Sequence, residues 1–380
     1  LFKNFLQKLN TMNNKIYFCI FFIILCFISN IDTIYPKTIF DEPAENFIKY
    51  AAGHLSSNDS TTDTSKTNST LLQKYPLKYS QSQFTYADNY RTTITGDLPL
   101  INSDIKPVPT LIAAGVLGSI FVVQHIMQQN TIWKEVGEFH FAEDIEYALW
   151  VDKLGHFYGT YSVSYLLSEA LMPMGFSWES ATILASGLGL AYTTYVEILD
   201  GFSKNFGFSP SDFYSDAAGA LYFSAQYFIP FLQNFTPKFM FVNPPWLGEH
   251  KRMEAESFID DYSSQTFWLS LNIHNMLPES LKNYWPKWLE LCFGYAAYSL
   301  CSKGSAEACY PGTEKVNNST YGNRRFIVSF DYNLQEILPD GAPFWNWFKQ
   351  SLRHFKLPAP ALEFGSTTKF YILYPFQINF

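Results

Sequence analysis

The pattern of apolar and polar positions along the chain changes twice. An apolar run from Ile16 to Ile28 is followed by the polar stretch Ser56 to Ser65, which has too few apolar residues to bury a core and reads as a linker. Four apolar runs of helical length come next: Val108 to Met127, Leu154 to Met172, Ala181 to Leu199 and Ala217 to Phe231. At about 1.5 Å per residue, each approaches the length that crosses a hydrocarbon core. Ser177 is a candidate N-cap for the third run and Asp200-Gly201 its glycine stop. Ser209-Pro210-Ser211-Asp212 opens the fourth with a cap, a proline in the first turn and an acid at the capping-box position. Short connections between four helices predict an up-and-down bundle.

In the last third the period falls to two. Phe326, Val328, Phe330, Tyr332 and Leu334 alternate with Arg325, Ile327, Ser329, Asp331 and Asn333, and a second alternation runs from Lys369 to Phe380. Phe267 to Ile273 and Leu289 to Ala297 are two further candidate strands. One aromatic-rich face on each resembles the lipid-facing side of outer-membrane strands, but four strands cannot close a barrel. A sheet laying its apolar face on the helical bundle, or on a membrane, is therefore expected. Phe344 to Phe355 gathers aromatic residues on one helical side, and either an interfacial helix or a docked one fits that pattern. The expected class is α+β, a four-helix up-and-down bundle followed by a small antiparallel amphipathic sheet. Its divisions are 1–34 (upstream residues and signal peptide), 35–105 (polar, partly disordered linker), 106–236 (helical domain) and 237–380 (strand-rich region).

Composition narrows the partners. Aromatic residues make up 18% of the chain and charged residues only 16%, below the usual quarter of a soluble domain, with a formal net charge of -8 and no basic cluster. Nucleic acid is excluded, because phosphate binding needs a basic footprint. A lipid bilayer and other envelope proteins remain. Met12-Asn13-Asn14-Lys15 before the Ile16 to Ile28 run reads as the start of a signal peptide, with an uncleaved anchor as the alternative. Cys26 is a candidate for lipidation, although Leu25 stands where a lipobox has a small residue. Cys292 reads as a buried small residue, and Cys301 with Cys309 as a candidate disulfide of an exported chain.

Ionisable residues in the helical region are grouped. Asp152, Lys153 and His156 open the second run, Glu197 and Asp200 close the third, and Asp212 and Asp216 open the fourth. Antiparallel neighbours bring all of these to one end of the bundle. Spacings of three or four residues put Asp152 with His156, Glu197 with Asp200, and Asp212 with Asp216 on shared helix faces. Polar stripes continue along Thr160, Ser164 and Ser168 and along Ser186 and Thr193, while Gly187, Gly189, Gly219 and Ala220 permit close helix approach. Three readings fit. Asp152 and Asp212 act as caps and Lys153 as the partner of a carboxylate, with His156 hydrogen-bonded. Alternatively His156, Glu197, Asp200 and Asp216 ligate one divalent metal such as zinc or manganese, which activates water for hydrolysis. In the third, His156 and Glu197 shuttle a proton without metal.

The same residues carry a resemblance. Asp152-Lys153-x-x-His156-Phe157, Glu197-x-x-Asp200 and Phe208-Ser209-x-x-Asp212-x-x-x-Asp216-x-x-Gly219 resemble the YfiM-like family of predicted periplasmic lipoproteins, a domain of unknown function, over about Trp150 to Phe228. More distantly they are similar to VanZ-like membrane proteins, which share an Asp-Lys-x-x-His-Phe helix. The resemblance implies an envelope location and carries no reaction with it. The expectation is thus a membrane-associated bacterial envelope protein in a structural or interaction role, or a metal-dependent hydrolase of lipid or cell-wall material. The aromatic strands favour the outer membrane and the long apolar helices the inner one.

Overall fold

The computed structural model describes residues 76–242, 261–302, 314–315 and 320–376. The signal peptide, the Cys26 lipidation, the Ser56 to Ser65 linker and the Cys301–Cys309 disulfide rest on residues outside that set. Residues 78 to 105 belong to the stretch read as a linker. They form a small hairpin of β1 (Thr85–Tyr86) and β2 (Asn89–Tyr90), bury Phe84 completely against Trp178, and pair Arg91 with the buried Glu169.

The four long helices form where the apolar runs lie: α1 (Pro107–Asn130), α2 (Val151–Leu171), α3 (Trp178–Phe202) and α4 (Pro210–Phe228). Ser177 caps α3 by accepting from the Ser180 amide. Ser209 caps α4 by accepting from the Asp212 amide, with Pro210 in the first turn. Gly201 is not a stop signal. The helix continues to Phe202, and a Cβ on Gly201 would sit 2.3 Å from the Phe139 ring, so the bare backbone is what admits that ring.

A four-helix bundle is not what packs. α2, α3 and α4 pack on one another, whereas α1 leans on α3 through Phe121 with Tyr192 and Tyr195 and buries only Gln128. Its side chains are apolar nearly all round, so no single stripe selects a core-facing side. Both α1 and α3 are long and apolar enough to cross a membrane. Gly187 makes no close approach either, since nothing lies within 4 Å of where its Cβ would be, while Gly189 and Gly219 meet α2 closely.

The sheet is larger than four strands. β3 (Phe235–Phe241), β4 (Gln265–Leu271), β5 (Leu289–Ser302), β7 (Thr320–Tyr332), β8 (Ala359–Phe364) and β9 (Thr368–Tyr374) run antiparallel in that spatial order, with β6 (Glu314–Lys315) on β7. Of the strands that alternation missed, β3 and β8 contain Pro237 and Pro360, which argue against a strand in sequence. β3 lies at the edge, and the β8–β9 register slips at Pro360, between Ala359 and Ala361. Register places Lys238, Trp268, Gly294, Ile327 and Glu363 side by side on one face, and Pro237, Leu269, Phe293, Val328 and Leu362 side by side on the other.

The first of these faces is inside. The sheet curls until Lys238 of β3 reaches Asp331 of β7 at 2.9 Å and Tyr298 of β5 meets Tyr374 of β9, around a core that includes Trp268, Cys292 and Ile327. Residues 355–356 cover the free edge of β3, with the Lys356 amide donating to the Phe239 carbonyl. On the outer face, Phe239 and Phe267 pack on Tyr158 of α2 and the Tyr295 hydroxyl donates to the Leu149 carbonyl. Further out on that face Leu269, Phe293, Phe326, Leu362 and Phe364 are exposed. Phe344 to Phe355 contains α5 (Pro343–Ser351), which docks through polar contacts: Trp347 Nε1 donates to Glu169, and Gln350 pairs with both backbone groups of Thr92.

Candidate functional site at the end of the helical bundle

The chain enters α2 through three consecutive residues in the left-handed region, Ala148, Leu149 and Trp150, none of them glycine. Such a run is unfavourable by roughly 1–2 kcal/mol per residue. It is held because Ala148 and Leu149 are wholly buried against Leu300 and Phe267 and Tyr295 anchors the Leu149 carbonyl. The result is that Asp152 and Lys153 start α2 turned into the structure, both buried.

Lys153 Nζ donates to Asp144, Asp152 and Asp212. Ser209 ties the same group together, since its hydroxyl donates to Asp144 at 2.6 Å while accepting from the Asp212 amide, and its own amide points at Glu197 Oε2. Asp152 also accepts from the Tyr262 hydroxyl, at 2.6 Å, which joins this end of the bundle to the turn before β4.

One helical turn along α2, His156 lies between two pairs of carboxylates. Its Nδ1 is 3.2 Å from Asp216 Oδ1 and 3.7 Å from Glu197 Oε1, and its Nε2 is 3.7 Å from both Asp152 Oδ1 and Asp212 Oδ1. Asp216 is completely buried. Its Oδ1 accepts from the Thr160 hydroxyl at 2.8 Å, while its Oδ2 has no hydrogen-bond partner. Gly219, one turn on from Asp216, allows this closeness, because a Cβ there would lie 2.2 Å from the Phe157 carbonyl oxygen of α2.

Charges set the protonation states. Burial opposes a charged His156, but the hydrogen bond it donates to Asp216 and the charges of Asp152 and Asp212 outweigh it and hold the imidazole well above its ordinary value. Burial likewise penalises ionised Asp152, yet His156, Lys153 and the Tyr262 hydroxyl keep its carboxyl below the ordinary range. Asp212, with burial and the adjacent Asp152 acting in one direction, is pushed up to about 7.

Two sets of side chains offer ligand atoms within 4.8 Å of one another: His156 with Glu197 and Asp216, and His156 with Asp152 and Asp212. In the second set the carboxylates are already engaged by Lys153 and Tyr262. In the first, distances of 3.2 and 3.7 Å from the imidazole nitrogen match the roughly 3.4 Å between ligands of a tetrahedral ion bound at about 2.1 Å. Asp200 stands outside both sets, its Oδ1 accepting from Trp133 Nε1 at 2.6 Å. The members that motif spacing did not single out are Asp144, Ser209 as a network hydroxyl, Tyr262 and Thr160. Only Thr160 had a signal, its place one turn from His156 on the same polar stripe.

The geometry can be set beside known proteins. Residues 138–227 match the family described as Predicted periplasmic lipoprotein (DUF2279). The matched segment begins before Trp150, so it takes in Asp144, and it ends within α4. Every bundle residue of the cluster therefore lies inside the DUF2279 segment, while Tyr262 and the sheet lie outside it. A periplasmic lipoprotein family fits the cell envelope and leaves the biochemical activity unknown. No curated protein and no solved structure matches the chain.

Proposed function

We propose that the bundle end is a divalent-metal site, held by His156 Nδ1, Glu197 and Asp216, in an envelope protein that hydrolyses lipid or cell-wall material. The observation that carries this reading is the fully buried Asp216, whose Oδ1 lies 3.2 Å from His156 Nδ1 while its Oδ2 has no hydrogen-bond partner. A buried carboxylate oxygen without a partner is costly, and a cation is the group that satisfies it best. Charge supports the same view: Asp144, Asp152, Glu197, Asp212 and Asp216 surround two cationic side chains, Lys153 and His156. Three protein ligands leave a coordination position for water, which is the arrangement of catalytic rather than structural zinc, and a bound ion would supply an activated water. His156 and Asp144, with side chains 23% and 36% exposed, give that end a route to solvent. The finer resemblance to YfiM-like lipoproteins and VanZ-like membrane proteins rests on the three motifs and agrees with a site at the end of apolar helices.

A second reading is favoured by the Tyr262–Asp152 hydrogen bond and the triple engagement of Lys153, which together make an ion-paired lock between bundle and sheet in a structural or interaction protein. Titration calorimetry of the demetallated full chain in detergent, with Zn²⁺ and Mn²⁺, separates the two. One ion per chain is expected, lost in Glu197→Gln and Asp216→Asn and kept in Asp200→Asn. No saturable binding in a folded chain would eliminate the metal reading and leave the lock.

A further inference from the structure

We infer that the outer face of the curled sheet is a lipid-contact surface, seated in the hydrocarbon at the edge of a bilayer. This stands apart from the metal reading, because none of its residues belongs to the bundle cluster. An antiparallel sheet in a water-soluble protein presents polar residues to solvent and apolar ones to its core. Here ion pairs lie on the concave side beside the apolar cluster of Trp268, Cys292 and Ile327, and the convex side is left with exposed apolar side chains. The concave side holds Lys238, Asp331, Lys356, Arg325 and Glu363, each 5% exposed or less. They are paired among themselves and with Glu290: Lys238 with Glu290 at 2.7 Å and Asp331 at 2.9 Å, Lys356 with Asp331 at 3.8 Å, and Arg325 with Glu363 at 3.7 Å. The convex side carries Leu269, Phe293, Phe326, Leu362, Phe364 and Phe370 across five neighbouring strands, all exposed, with Phe370 at 68%.

These six side chains carry neither charge nor hydrogen-bonding groups and complement a medium that offers neither. A protein partner would be matched by an apolar patch with a polar rim on one side of the molecule. Exposed apolar side chains here are not confined to one side. Leu111 of α1, Leu166 of α2, Leu188 of α3 and Leu221 of α4 are exposed as well, so the occupant has to meet several elements at once. Hydrocarbon does so, and an exposed apolar surface of this extent is not a feature of soluble monomers. Depth follows from the backbone. Among the described residues β9 ends the sheet, and an open sheet edge does not occur inside hydrocarbon, so the convex face enters to side-chain depth while that edge stays among the headgroups.

The experiment is site-specific photocrosslinking of the full chain in phosphatidylethanolamine and phosphatidylglycerol vesicles. p-Benzoylphenylalanine replaces Phe293, Phe326 or Phe370 in turn, and Tyr284, 82% exposed in the turn before β5, as the control. After irradiation, mass spectrometry is expected to show phospholipid adducts at the three sheet positions and none at Tyr284. Melting profiles matching the parent confirm that each variant is folded, which these outward positions favour. Because another segment can hold the chain in the vesicle, vesicle association alone does not count. Absence of phospholipid adducts at all three positions in vesicle-bound protein, equal adducts at Tyr284, or adducts to a second protein chain would each overturn the inference.

Discussion

Replacing Gly219 by alanine tests how the cluster is assembled. The added methyl would lie 2.2 Å from the Phe157 carbonyl oxygen, 3.1 Å from its carbon and 3.2 Å from the Tyr161 nitrogen. All three are backbone atoms of α2, so no side chain can rotate away. Relief needs α2 and α4 to part by roughly 1 Å to restore ordinary contact distances. The His156–Asp216 bond, 3.2 Å long, then passes the limit of a hydrogen bond. Overpacking of this kind costs about 1–3 kcal/mol, and a hydrogen bond to a charged group about 1.5–3 kcal/mol. Alanine recovers only about 1 kcal/mol through helix propensity. A net loss of roughly 2–4 kcal/mol is expected. Gly187→Ala is the internal control, because that glycine is exposed in α3 with nothing within 4 Å of its Cβ, and there the helix-propensity gain of up to about 1 kcal/mol should appear unopposed. Denaturant melts of both variants in the same detergent read the difference. If Gly219→Ala matched Gly187→Ala in stability, the close approach of α2 and α4 would not be what places Asp216 beside His156.

Three further outcomes are expected. In the metal-free chain the pKa of His156 is raised above its ordinary 6.5, so its stabilising contribution is complete below about that pH and is lost as pH rises through the folded-state value; the advantage of the parent over His156→Gln should therefore shrink in alkaline melts. Metal binding must displace that imidazole proton, so calorimetric affinity should increase with pH, and an affinity indifferent to pH would remove His156 from the ligand set. In the sheet, Lys238→Met leaves Glu290 without its cation and Asp331 with Lys356 alone, 3.8 Å away, with an expected loss of about 3–5 kcal/mol; a loss below about 1 kcal/mol in denaturant melts would mean that water reaches the concave side.

Helix ends and the helix-borne members of the cluster were legible because each depends on local spacing. Ser177 and Ser209 cap as their positions suggest, and intervals of four residues put Asp152 with His156 and Asp212 with Asp216 on shared faces. Asp200 shows the limit of that logic. It shares a face with Glu197, yet Trp133, sixty-seven residues earlier, captures its carboxylate. Asp144 and Tyr262 were out of reach for a related reason: each lies in an irregular segment without periodicity, and only tertiary folding brings them to Lys153 and Asp152. The expectation for α1 failed differently, since apolar length gives a helix without giving it a neighbour.

Alternation along β7 identifies two faces of a strand but not which of them is inside. Phe326 and Phe330 are exposed, while Arg325, Ser329 and Asp331 are buried, so the assumption that aromatic residues face inward would have turned the strand over. What decides the matter is pairing across the sheet, which register alone supplies: Lys238 finds Asp331 only because the sheet curls through β4 and β5, and Arg325 finds Glu363 on the adjacent β8. The bundle repeats this arrangement, with Lys153, His156 and their carboxylates enclosed while Leu111, Leu188 and Leu221 are exposed. Those charged residues satisfy one another in the interior, and the apolar surface left outside is suited to a solvent other than water.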